Sequence, residues 1–193
     1  MFHSKNTTVR RPDTTAAAGL PGRLLRRLCL AFALLAATLS LAACGSPQRS
    51  DLVTIGGALL AAGVNEGLEN EYMQRLQQAQ NETEVRAVLQ DQLDLLQKAV
   101  PALQNLNLKS EEGKSIRAKL VGGMEKMSGS LQKIQAADFD NAPVMQTAEA
   151  EMNAGVREVM AGMQEFAVVA KAHGIPFDEV LLQQKIKEAG AAE

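Results

Sequence analysis

From about residue 52 onward, apolar side chains return every three or four positions. Val85, Leu89, Leu93, Leu96, Val100 and Leu103 form one series, and Ile116, Leu120, Met124, Met127, Leu131 and Ile134 form a second. The longest series is Met145, Ala148, Met152, Val156, Val159, Met163, Phe166, Ala170 and His173. Such steps place each series on one stripe of an α-helix, near the heptad period. No run of alternating β-branched residues is long enough to argue for a sheet. The pattern predicts helix A over about 52–80, helix B over about 83–107, helix C over about 111–136 and helix D over about 143–173. A short helix E is expected over about 177–189, docking through Phe177, Val180, Leu181 and Ile186, ahead of a tail at 190–193.

The residues at the ends of these segments agree with that reading. Asn81 or Thr83-Glu84 can cap helix B, Ser110 followed by Glu111 and Glu112 suits the start of helix C, and Asn141 with Pro143 suits the start of helix D. Gly174 stands where a left-handed residue ends a helix, with Pro176 beyond it. Pro101 interrupts the helix B series and is expected to kink or end that helix. Helix A has two characters. Its second half shows Leu68, Tyr72, Leu76 and Ala79 on one face, while residues 52–64 are apolar all round and rich in glycine. Four long amphipathic helices with short connections predict an all-α domain over 52–189, an antiparallel up-down-up-down four-helix bundle with a short C-terminal helix.

The first 44 residues follow another plan. Arg23, Arg26 and Arg27 precede an uncharged apolar run from Leu28 to Ala43, followed by Cys44. At about 16 residues the run is short of the roughly 20 that span a bilayer, and its order is that of a cleaved secretory signal. Leu41-Ala42-Ala43-Cys44 resembles the lipobox of bacterial lipoproteins. The resemblance implies a signal peptide over residues 1–43, cleavage before Cys44, diacylation of its thiol with palmitate-type chains, and membrane attachment through them. In lipoproteins of diderm bacteria, Asp after the lipidated cysteine favours inner-membrane retention. Gly45 stands there instead, which implies the outer membrane, facing the periplasm. Residues 44–51 read as the lipidated cysteine and a short tether.

Processing changes the charge. Six of the 20 basic and one of the 22 acidic residues lie before Cys44, so the remaining chain carries 14 basic and 21 acidic side chains, a net charge near −7. That balance argues against nucleic acid and against a polybasic grip on lipid. Cys29 leaves with the signal and Cys44 takes the lipid, so no disulfide is expected. With no Trp, and only Tyr72, Phe139, Phe166 and Phe177 after Cys44, an aromatic platform for sugars or bases is disfavoured.

Little else signals chemistry. His173 is the single histidine after Cys44. It is either a metal or haem ligand or a helix-end residue favoured by the C-terminal dipole, and the second fits its position better. Met73, Met124, Met127, Met145, Met152, Met160 and Met163 offer an adaptable apolar pocket or copper(I) thioethers, but positions on the helix seams suit core filling. The architecture is similar to that of b562-type cytochromes, which hold haem between a Met near the start of the first helix and a His near the end of the last. His173 fits, but residues 52–65 contain no Met, so no cofactor and no metal are expected. Carboxylates at Asp91/Asp94, Glu111/Glu112 and Glu149/Glu151 fit solvated helix faces, and no phosphate loop, nucleophile elbow or Cys–His pair is present. The expectation is a non-enzymatic envelope protein with an accessory or assembly role and a protein partner; the alternative is a bundle binding an apolar ligand, copper or haem. The interaction candidates are Leu52, Ile55, Gly56, Leu59, Leu60, Gly63 and Gly67, in a segment that either lies in the membrane interface or packs against a partner's helix, with Gly63 and Gly67 allowing close approach, or is the most buried part of helix A, covered by helix E.

Overall fold

The computed structural model describes residues 46–65 and 67–175. Within them the chain forms five helices and no strand: α1 (Pro47–Ala61), α2 (Leu68–Gln78), α3 (Glu82–Gln104), α4 (Glu111–Ala136) and α5 (Ala142–Ala172). Helices B, C and D correspond to α3, α4 and α5. Their expected caps are in place: Asn81, Ser110 and Asn141 each accept a hydrogen bond from the backbone N–H three residues on. Glu84 also bonds back to the N–H of Gln80 at 2.7 Å. Helix E and the signal peptide lie outside the described residues.

Two expectations about the N-terminal part are corrected. The tether expected up to residue 51 is helical from Pro47, because Ser46 caps the helix by accepting from the N–H of Arg49 at 3.3 Å and Pro47 presets its first turn. Helix A is two helices. Gly63 adopts φ +100°, a left-handed conformation that costs glycine little, and ends α1 in a Schellman turn. The N–H of Gly63 donates to the Leu60 carbonyl and that of Val64 to the Leu59 carbonyl, while Leu59 and Val64 are both fully buried. The same turn ends α5 at Gly174 (φ +60°), with the Ile175 N–H on the Ala170 carbonyl and Ile175 buried. Pro101 does not end its helix at once. The residue is exposed, and α3 runs on to Gln104, short of the expected 107.

The tightest pair is α4 with α5. Lys119 meets Glu165, Lys126 meets Glu158 and Lys133 meets Glu151, so seven residues forward on one helix is seven back on the other. The pair is therefore antiparallel. Beneath this ladder the backbones touch closely: a methyl group on Gly123 would lie 2.6 Å from the Gly155 carbonyl oxygen, and one on Gly155 would lie 2.6 Å from that of Gly123. Two turns further along, the Ser130 hydroxyl donates to the Ala148 carbonyl at 2.6 Å. α3 lies antiparallel to α4, joined near one end by Arg86 to Gln135 and near the other by Gln104 to Glu125. α2 meets α3 through Tyr72 and Arg75, both on Asp91. The core collects Leu, Val, Ile, Met and Phe side chains, with contributions from all five helices, among them fully buried Leu89, Leu96, Ile116, Leu120 and Phe166.

Candidate functional site

Burial separates the expected interaction residues. Leu52, Ile55 and Leu59 are fully buried, and Gly56 is buried with them. These four are core and not a docking face. The helix turns them inward because they fall on the side of α1 that packs against α3, α4 and α5. Leu60 is 45 % exposed, and Gly63 and Gly67 are exposed where α1 gives way to α2. Cys44 lies outside the described residues. His173 is the C-terminal cap of α5, and its Nδ1 stands 3.2 Å from the Ser46 hydroxyl, which ties the end of α5 to the start of α1. Met124, Met127, Met152 and Met163 are fully buried and Met145 nearly so. Of the paired carboxylates, Asp91 takes Arg75, Asp94 takes the Gln90 amide at 2.7 Å, Glu111 takes Lys114 at 2.7 Å and Glu151 takes Lys133. Among the described residues, no group of three or more His, Cys, Asp or Glu is placed to hold a metal ion.

A concentrated polar site falls where the sequence predicts a tether. Asp51, on α1, is only 2 % exposed. Its carboxylate accepts from the N–H of Lys109 (2.9 Å), the N–H of Ser110 (2.7 Å) and the Ser110 hydroxyl (2.6 Å). Ser110 Oγ in turn accepts from the Gly113 N–H at 3.0 Å. The charge sits at the positive end of α4, where backbone N–H groups have no partner within the helix. Burial pushes the Asp51 carboxyl up; the Ser110 hydroxyl, the Ser110 and Lys109 N–H groups and the Lys109 charge outweigh it and hold the pKa below the ordinary value. Gly113 makes the approach possible, since a methyl group there would fall 2.7 Å from Asp51 Oδ2 and 2.9 Å from Ser110 Oγ.

The other end of α4 mirrors this arrangement with opposite charge. Arg86, on α3, donates to the carbonyls of Ile134 (3.2 Å), Gln135 (2.7 Å) and Ala137 (2.7 Å), the last turn and C-cap of α4. Its guanidinium also lies 4.4 Å from the centre of the buried Phe139 ring. The Gln135 amide returns a bond to the Arg86 carbonyl at 2.7 Å. A carboxylate from one helix and a guanidinium from another thus close the two ends of α4 in the sense its dipole favours. These side chains act as struts. The signal available for Asp51 is local: Ser46-Pro47 reads as an N-cap with proline at the first helical position, and it starts the helix four residues before Asp51.

No curated protein and no solved structure matches the chain. A model of one protein family does, over residues 58–172, which takes in the end of α1 and all of α2 to α5. With that match spanning more than half of the chain, the protein belongs to the family described as Uncharacterised lipoprotein PM1805.

Proposed function

We propose that this lipoprotein is held in the bacterial outer membrane by acyl chains on Cys44, faces the periplasm, and presents an up-down-up-down four-helix bundle that serves an accessory or assembly role through contacts with another envelope protein. The family match supports a membrane-anchored lipoprotein of the envelope. The antiparallel pairings of α2 with α3, α3 with α4 and α4 with α5 support the bundle. Gly45 after Cys44 supports outer-membrane sorting.

One observation carries the choice of a protein contact over a bound ligand. Met124, Met127, Met152 and Met163 are packed at zero exposure, in the interior that a ligand-binding bundle keeps open. The charged groups are likewise engaged in holding the helices together, as Asp51, Arg86 and the three Lys–Glu pairs show. The reading includes no catalytic activity. Crosslinking the lipidated protein in its own membranes, followed by affinity purification and an absorption spectrum of the eluate, tests it. A stoichiometric envelope protein in colourless material is the expected result. A lone protein carrying a Soret or metal band would overturn the reading and make His173 the first residue to mutate.

A further inference from the structure

The folded domain begins almost at the anchor. Ser46 is already fixed: its hydroxyl accepts from the Arg49 N–H and meets His173 Nδ1. Asp51, one turn on, is locked to the start of α4. Cys44 and Ser46 are separated by Gly45 alone. Two peptide units span at most about 7 Å in any conformation, so a lipidated Cys44 leaves no slack between the bilayer surface and the helices. The expected tether would have let the domain drift away from the membrane and turn freely.

On the reading that Cys44 carries the lipid, we infer that the end of the domain formed by the start of α1, the start of α4 and the end of α5 is a membrane-contact surface resting on the lipid headgroups. Three chain segments meet there through Ser46 with His173 and Asp51 with Ser110. The charges fit. This end carries Arg49, Lys109, Lys114 and Lys171 against Glu111 and Glu112, with Asp51 buried and hydrogen-bonded. The opposite end carries Glu82, Glu84, Asp138 and Asp140 against Arg86 and Lys133. With Asp51 counted, the near end thus holds four positive against three negative groups and the far end four negative against two positive, so an anionic headgroup layer attracts the near end and repels the far one. α4, with 26 residues, is about 39 Å long at 1.5 Å per residue. The turn between α4 and α5 consequently stands at about that height above the headgroups.

The test uses the native lipidated protein, purified from membranes and reconstituted in vesicles of phosphatidylethanolamine and phosphatidylglycerol. Lipidation consumes the Cys44 thiol, so Lys109→Cys and Asp140→Cys, both at exposed positions, each supply one thiol for a fluorophore. A nitroxide on the lipid headgroup should quench the label at 109 several-fold more than the label at 140. Insertion of roughly a dozen Gly and Ser residues between Gly45 and Ser46 restores a flexible tether and should abolish the difference. Equal quenching at the two positions in the uninserted protein, or stronger quenching at 140, overturns the inference while leaving the anchor intact. A protein that carries no acyl chains by mass spectrometry and fails to float with the vesicles overturns the anchor reading, and this inference with it.

Discussion

Asp51 shows how much one side chain can decide. A carboxylate with little exposure is costly to bury, and it is stable here because three donors converge on it. Asp51→Ala would leave the N–H groups of Lys109 and Ser110 without their acceptor and should cost about 1–3 kcal/mol at neutral pH. Because the folded pKa lies below the unfolded one, this contribution is fully present above about pH 4 and is lost as pH falls through the lowered folded value. Urea titrations of both proteins at neutral pH and at about pH 3 should therefore show a gap that narrows in acid. A gap that widened in acid would contradict the lowered pKa. Met152 belongs to the same scale but to a different force. It is fully buried on the α5 seam, and Met152→Ala should destabilise by about 2–5 kcal/mol through lost packing and a cavity. Denaturant unfolding of that variant checks it, and a change under about 0.5 kcal/mol would mean that the face is exposed. The methionine position was legible from its heptad step. Asp51 was not, because a single charged residue in an apolar segment looks like a break in the pattern until its partner 59 residues away is known.

At the scale of the element, periodicity served well wherever one face of a helix is buried. The series on α3, α4 and α5 appear in the core almost as read, with Val100 only half-buried and His173 half-buried at the cap of α5. It fails at α1, where an apolar surface all round leaves no stripe to follow, and at the break after it, where Gly63 ends a helix that the pattern continues. Nor does periodicity explain the glycines inside helices, which cost about 1 kcal/mol each relative to alanine. Structure divides them into two kinds. Gly155 is pressed against the Gly123 carbonyl and the Met127 side chain, so Gly155→Ala should destabilise, a penalty of about 1–3 kcal/mol for overpacking exceeding the gain in helix propensity. A methyl group on Gly129 meets nothing within 4 Å, and Gly129→Ala should stabilise by up to about 1 kcal/mol. Thermal unfolding of the two variants should shift in opposite directions; a shared rise would mean that the α4–α5 contact is looser than described, and a shared fall that Gly129 does not face open space.

For the whole molecule, the informative fact is how soon after Cys44 helix α1 starts. If Cys44 carries the lipid as proposed, Cys44→Ser should accumulate at precursor size and take up no radiolabelled palmitate; labelling would place the lipid elsewhere. The resemblance of Leu41-Ala42-Ala43-Cys44 to a lipobox is plain in the sequence because export signals are read as linear patterns. The lack of a tether was not, since Gly45-Ser46-Pro47-Gln48-Arg49-Ser50-Asp51 is polar like a linker, and what makes residues 47–51 a helix is the Ser46 cap, the first-turn proline and the distant Ser110.

The α4–α5 ladder carries one more implication. A pattern that repeats every seven residues cannot distinguish its own registers. Sliding one helix by seven residues would still set Lys126 against Glu165, Lys133 against Glu158, Gly123 against Gly162 and Ser130 against Gly155. Charge would still meet opposite charge, and small residue would still meet small. The correct alignment must be encoded in what does not repeat: the short turn at residues 137–141, the single carboxylate of Asp51 at one end of α4 and the single guanidinium of Arg86 at the other. The repeat supplies adhesion, and those three unique features supply the count.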